Sequence, residues 1–255
     1  MKKHIALLWR LTIMDFRKRY LGTLLGGVWA FLSPLITILL IYFVMTFGLK
    51  AGSSDGVPFI NWLVPGMLAW FYVLETISSG VTAVVENSHF VTKMCFPLPL
   101  LPLAKVIAPL FIHIVLMSIL LIYLSVTSGV SIFWIQLLYY LFCAAFLCLG
   151  IGFFTSAAMV FVRDTSHLVG VLLQLLFWAT PIFWNPAMLQ GSRFYFLLYS
   201  PFNYIISGYR TSLFGEIWCW EQPVQLLFFW LSALALLGIG LLIFSRTQKH
   251  FADVL

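Results

Sequence analysis

Two ionisable side chains lie deep within long apolar runs, Glu75 and His113. A buried charge in a membrane costs about 2.5–3.5 kcal/mol on insertion scales, so each must face protein, water or the other. A proton relay is one use for such a pair; a polar lining or a hydrogen bond between helices is the commoner one. A second cluster, Arg17-Lys18-Arg19, stands just ahead of the first apolar run. Juxtamembrane cations ordinarily fix topology, and the sharper reading makes them the receiver of an anionic lipid head group such as a pyrophosphate. Aromatic residues make up 18% of the chain. Some belong to the interfacial belt, but those at Trp70-Phe-Tyr72, Phe177-Trp178, Phe183-Trp184 and between 199 and 209 also offer flat faces on which sugar rings stack. Covalent chemistry has no visible seat: there is no Gly-Lys dipeptide and hence no Walker A loop, and Cys95, Cys143, Cys148 and Cys219 lack metal-ligand spacing. Neither a disulfide nor a metal is expected.

The elements that carry these residues follow from composition. Of the 255 residues, 62% are hydrophobic and 9% charged, against about 45–50% and 25% in soluble domains. The expected class is an all-α integral membrane protein, a single domain over 1–255. Runs of about 20 apolar residues place six spans at 28–47, 62–85, 106–127, 133–162, 168–183 and 224–244. Ahead of them, 1–22 has helical periodicity with Ile5, Trp9, Phe16 and Tyr20 on one line, as for a helix lying along the membrane surface. Between spans five and six the apolar stretch 194–209 is broken by Ser200-Pro201 into halves too short to span, which reads as a re-entrant or interfacial pair within 185–221. The loop 86–105 carries Pro97, Pro99 and Pro102, which forbid a continuous helix there. Its length, apolarity and stiffness suit a docking element for a cytoplasmic partner, or else a loop resting on lipid.

Charge sets the orientation. Lys2, Lys3, Arg10, Arg17, Lys18 and Arg19, with Lys93, Lys105, Arg163, Arg246 and Lys249, fall on one side; Lys50, Arg193 and Arg210 fall on the other. Both termini are therefore expected in the cytoplasm. The positive balance is a topology signal and implies no nucleic acid. The N-terminal segment lacks the apolar core and cleavage site of a signal peptide.

Five strings in order carry a resemblance: Arg17-Lys-Arg-Tyr20 with Leu24-Leu-Gly-Gly-Val-Trp-Ala-Phe-Leu-Ser-Pro34, Val64-Pro-Gly-Met-Leu-Ala-Trp-Phe71, Val162-Arg-Asp-Thr165, Phe177-Trp-Ala-Thr-Pro-Ile182 and Ser200-Pro-Phe-Asn-Tyr204. Together they resemble the membrane subunits of type-two ABC transporters that export polysaccharides, O-antigen or teichoic-acid chains. The resemblance implies a channel-forming homodimer in the inner membrane, two copies of a cytoplasmic ATPase that hold the ATP and Mg, and a lipid-linked polysaccharide as cargo; this chain would bind no cofactor and perform no covalent chemistry. It implies an entrance at Arg17, Lys18, Arg19 and Tyr20. A channel would be lined by Trp29, Tyr42, Trp70, Phe71, Tyr72, Glu75, Phe177, Trp178, Phe183 and Trp184, with an exit gate at Pro201, Phe202, Asn203 and Tyr204. ATPase docking would fall on Asn87, His89, Phe90, Lys93, Pro97, Arg163 and Asp164. The alternatives are a type-two ABC exporter of lipid or drug, a proton-coupled carrier, and a membrane enzyme acting on lipid-linked sugar.

Overall fold

The computed structural model describes residues 2–20, 26–50, 57–91, 96–189, 191–215 and 217–255, with the side chains of 2, 3 and 20 outside that description. It is helical throughout, in the order α1 (Lys2–Tyr20), α2 (Val28–Phe43, prolonged by a π-turn Val44–Gly48), α3 (Phe59–Val81), α4 (Ser88–Val91), α5 (Leu100–Ile107), α6 (Leu110–Thr127), α7 (Gln136–Phe161), α8 (Thr165–Ala179), α9 (Pro201–Phe214), α10 (Pro223–Thr247) and α11 (Phe251–Val254). Among the described residues, five helical segments are long and apolar enough to cross a bilayer: Val28–Gly48, Phe59–Val81, Leu100–Thr127, Ile132–Phe161 and Pro223–Val254. The sixth apolar helix, α8, has 15 residues, about 22 Å at 1.5 Å per residue, short of a hydrocarbon core of about 30 Å.

The boundaries differ from the sequence expectation where proline acts. The third span begins at Leu100 rather than 106, so Lys105 is inside a helix and not in a loop. Pro102 is accommodated because it falls in the first turn, where backbone N–H groups have no intrahelical partner to lose. The α5–α6 junction falls at Ala108-Pro109, with the chain running on as one 28-residue segment. The helix expected to reach 183 stops at Ala179 because Thr180 precedes Pro181 and takes an extended conformation. The second span runs from Phe59 to Val81 rather than from 62 to 85. Between α8 and α10 the chain is divided at Ser200, with a 3-10 turn Arg193–Tyr199 before it and Pro201 opening α9 after it.

The core is built on α3 and α7. Leu63, Met67, Trp70 and Ile77 of α3 are packed against Ala144, Leu147 and Cys148 of α7 and Ile205, Ile206 and Tyr209 of α9, all almost fully buried. Small residues let the backbones approach: a Cβ at Gly80 would lie 3.4 Å from the Cα of Gly152, and one at Gly150 would lie 2.8 Å from the backbone nitrogen of Leu237 on α10. By contrast α2 buries only Ile38 fully. Two smaller cores close the end of the molecule that holds both termini. Leu11 of α1 meets Ala83, Leu101 and Ala104, while Phe251 of α11 meets Val84, Phe153 and Phe244. The described parts of the following segment, 83–91 and 96–105, thus pack against the N-terminal helix and the C-terminal turn.

Candidate functional site

A cavity of about 620 Å³ opens between α2, α3 and α6. This is within the range of about 300–1,000 Å³ typical of small-molecule sites. Trp29, Ser33 and Thr37 line it from α2, Phe71, Tyr72 and Glu75 from α3, and Ile112, His113 and Leu116 from α6, with Arg19 of α1 at its edge. Its walls are chiefly apolar, and its charges are confined to Arg19 and Glu75.

Those two charges belong to a larger network. Glu75, placed by its sequence context as a lone acid in a span, is 46% exposed along its side chain and accepts from Nη1 of Arg19. Nε of Arg19 lies 2.9 Å from Asp15 one helical turn away. The other oxygen of Asp15 lies 2.5 Å from Nζ of Lys105, whose side chain is 3% exposed and which also donates to Glu86 at 2.7 Å. Burial alone would raise the Glu86 carboxyl, but hydrogen bonds from Lys105 and Thr82 outweigh it and hold the group below the usual carboxylate range. Three carboxylates and two cations therefore run in one unbroken chain from the cavity to the segment between α3 and α5. Nη2 of Arg19 is buried and has no hydrogen-bond partner among the described residues.

The second intramembrane group, His113, is 5% exposed and shares a hydrogen bond of 2.9 Å between Nε2 and the hydroxyl of Tyr209, with the Tyr72 ring beside it. Glu75 and His113 thus face the same cavity with different partners.

The entrance residues separate. Arg17 and Lys18 are exposed, whereas Arg19 is engaged by Asp15 and Glu75; the side chain of Tyr20 lies outside the described residues. Of the aromatic residues expected along a channel, Trp29, Phe71 and Tyr72 line the cavity. Trp70 is instead buried against Phe177 and Phe202, and Tyr42 stacks on Phe59. Phe177, Trp178 and Phe183 form one cluster in which Trp178 meets both phenylalanines edge-to-face and the two phenylalanines are tilted to each other, and Trp184 donates to the carbonyl of Trp178. The four residues expected at an exit gate are bound up within the chain. Pro201 starts α9, Phe202 is buried, Asn203 donates to Leu198 at 2.7 Å, and the Tyr204 hydroxyl is 3.1 Å from that of Tyr139.

At the expected docking surface, Asn87 is buried and donates back to Ala83, His89 is exposed with its ring on Phe90, and Phe90 stacks on Phe96. Pro97 is half-buried, Arg163 and Asp164 are exposed, and Lys93 lies outside the described residues. No group of three His, Cys, Asp or Glu side chains suited to a metal occurs among the described residues.

Sequence reasoning passed over Asp15, Glu86 and the central place of Lys105. The available signal was Asp15 itself, a lone acid in a basic helix at i,i+4 from Arg19. Arg210 was counted only as a topology charge. It is 7% exposed, lies 3.5 Å from the Trp62 ring, and donates to the carbonyls of Trp62, Pro181 and Ile182 at 3.1, 2.7 and 2.5 Å.

Comparison with known proteins agrees with this architecture. Over 248 residues the chain is 23% identical to the O-antigen export system permease protein RfbA of Klebsiella pneumoniae, covering 96% of this chain and 93% of that protein. Over 257 residues it is 26% identical to the O-antigen export system permease protein RfbA of Myxococcus xanthus, covering 97% and 95%. The family model for the ABC-2 type transporter matches residues 6–214, so the chain belongs to the ABC-2 type transporter family of membrane proteins.

Proposed function

We propose that the chain is the channel-forming permease subunit of an ATP-driven exporter that moves a lipid-linked polysaccharide across the cytoplasmic membrane. The observation that carries this reading is the near full-length similarity to permeases of O-antigen export. In it, two copies of the chain enclose the path, and α8 completes a sixth span together with the residues after Ala179. Both termini are cytoplasmic, as the basic residues favour and as their shared contact with the Ala83–Lys105 segment supports.

Two copies of an ATPase dock on that segment and on the Arg163-Asp164 turn. Arg17 and Lys18, both exposed on α1 ahead of Arg19, receive the anionic head of the lipid carrier. The sugars then pass along aromatic and polar walls. The chain contributes differential affinity between channel states, and the ATPase supplies the free energy.

The engagement of Glu75 by Arg19 and of His113 by Tyr209 weakens the case for a proton-coupled carrier, which would use these groups as a relay. The test is co-purification of the C-terminally tagged chain from its host, followed by an ATPase assay with and without lipid-linked glycan. Recovery of a nucleotide-binding subunit whose hydrolysis responds to the glycan is expected. Recovery of no ATPase overturns the reading, and hydrolysis that responds to lipid but not to glycan transfers it to a lipid exporter.

A further inference from the structure

Arg19 distributes its guanidinium unequally. Nε faces Asp15, Nη1 faces Glu75, and Nη2 is buried with no partner among the described residues. Glu75 accepts a hydrogen bond from Arg19 whereas the facing oxygen of Asp15 makes only an ion-pair contact, but the Glu75 carboxylate is half in solvent and is therefore the partner that water can take up on release. The Arg19 and Glu75 side chains edge a cavity whose remaining walls are chiefly apolar and aromatic, with Ser33, Thr37 and His113 as polar exceptions. One of those walls is α2, which buries only Ile38 and leaves Trp29, Leu35, Ile36, Leu39 and Leu40 exposed. A phosphate offers several oxygens to a guanidinium fork, where a carboxylate offers two. A phosphate carried on a hydrocarbon chain matches both parts of this site.

The same arginine is linked to more than the cavity. Asp15 is shared by Arg19 and Lys105, and Lys105 is shared by Asp15 and Glu86. Arg19–Glu75 ties the end of α1 to α3, and Lys105 ties the middle of α1 to the segment following α3. With three carboxylates to two cations, the chain of pairs carries one negative charge in excess, so an incoming anion is accommodated only as Glu75 gives way. Arg17 and Lys18, both exposed, are the next cations along α1.

We propose that Arg19 and Glu75 form an occupancy latch for a phosphorylated lipid. The phosphate head group takes the place of the Glu75 carboxylate on Arg19 and frees the end of α1 from α3, and the change reaches the segment around Glu86 through Asp15 and Lys105. The latch deepens the export reading, since a lipid-linked cargo would announce its arrival at the segment assigned to ATPase docking. By reciprocity, whatever binds that segment alters the affinity of the cavity for the lipid.

The exchange is tested on the purified full-length chain alone, by native mass spectrometry with dioleoyl phosphatidic acid against dioleoylglycerol, which has the same chains and no phosphate. The wild type retains the phosphatidic acid preferentially, and Glu75→Gln raises that retention about 5-fold or more, the lower range of measured couplings. Arg19→Gln abolishes the preference, and adding Glu75→Gln to Arg19→Gln changes nothing further. Hydrogen exchange at 85–91 rises when phosphatidic acid is added to the wild type and stays unchanged in Arg19→Gln. Equal retention of the two lipids, or no gain in Glu75→Gln, overturns the latch. Displacement of the lipid by equimolar inorganic phosphate overturns the lipid assignment, because the apolar walls would then contribute nothing. An unresponsive 85–91 segment overturns the relay. Because these readouts need no ATPase, their failure while an ATPase still co-purifies removes the latch and leaves the exporter.

Discussion

Near the two ends of α3 lie two buried cations that are satisfied in opposite ways. Lys105, beside its C-terminal end, sits between the carboxylates of Asp15 and Glu86. Arg210, beside Trp62 near its start, has no carboxylate partner among the described residues and is held by three backbone carbonyls and the Trp62 ring. Side-chain partners can exchange, because each carboxylate has a second candidate cation or solvent to turn to. Backbone carbonyls cannot, because moving them means moving α3 or the Pro181 turn. The difference assigns the Lys105 end to movement and the Arg210 end to fixed architecture, with Arg210 fastening α9 to the start of α3 and to the break that ends α8.

The largest effect is expected where nothing can substitute. Arg210→Met should lower stability by about 3–5 kcal/mol, since three buried carbonyls lose charge-assisted bonds worth about 1.5–3 kcal/mol each and the neutral side chain recovers part of that loss by shedding its desolvation cost. Arg210→Lys should recover little, as a single ammonium cannot span three divergent acceptors. Thermal unfolding in detergent measures both, and a lysine variant as stable as wild type would show that charge rather than the fork matters.

Lys105→Met should cost less, about 2–3 kcal/mol, below the 3–5 kcal/mol of a fully isolated buried charge. Asp15 keeps Arg19, and Glu86 is half exposed. Adding Asp15→Leu should restore part of that loss, because buried pairs replaced together by apolar groups are often neutral. No second side-chain change can do the same for Arg210. Gly66→Ala should cost about 1–3 kcal/mol: its Cβ would come within 2.6 Å of Nη2 of Arg210 and press the guanidinium off its carbonyls. If Gly66→Ala adds no further loss of stability in the Arg210→Met background, the strain is localised to that contact.

How much of this was readable from residues alone varies with the kind of signal. The long apolar runs behind α2, α7 and α10 announce themselves, and Ser200-Pro201 marks the break before α9. Helix ends set by proline were misplaced in both directions. Pro102 was read as a barrier although a first helical turn tolerates it, and Pro181 was not given its effect on Thr180. The charges were harder because a sequence gives each its sign and not its partner. Lys105 was read as a topology charge on a loop and Arg210 as one in the re-entrant region, yet one bridges residues 90 and 19 positions away and the other reaches back 148 positions to Trp62. Arg19 was assigned to an anionic ligand together with Arg17 and Lys18, and only the fold reveals that its neighbours on α1 and α3 already hold it.

The smallest expected effect is also the most specific to the Lys105 end, and it is a dependence on pH. Glu86 is held below the usual carboxylate value by its hydrogen bonds to Lys105 and Thr82, against the opposing effect of burial. A carboxylate whose folded value is depressed contributes stability above its unfolded value, and loses that contribution as pH falls through the folded one. The hold of Lys105 on the segment after α3 should therefore persist at neutral pH and fade on acidification below the ordinary carboxylate range. Hydrogen exchange at 85–91 should accelerate there while exchange in α9 does not, because Arg210 faces carbonyls that have no proton to gain. Glu86→Gln should abolish the acid step and leave neutral-pH exchange at 85–91 modestly raised, since the half-exposed carboxylate contributes little net stability. If α9 loosened in parallel with 85–91, the two ends of α3 would be one cooperative unit and the division between a movable end and a fixed one would fail.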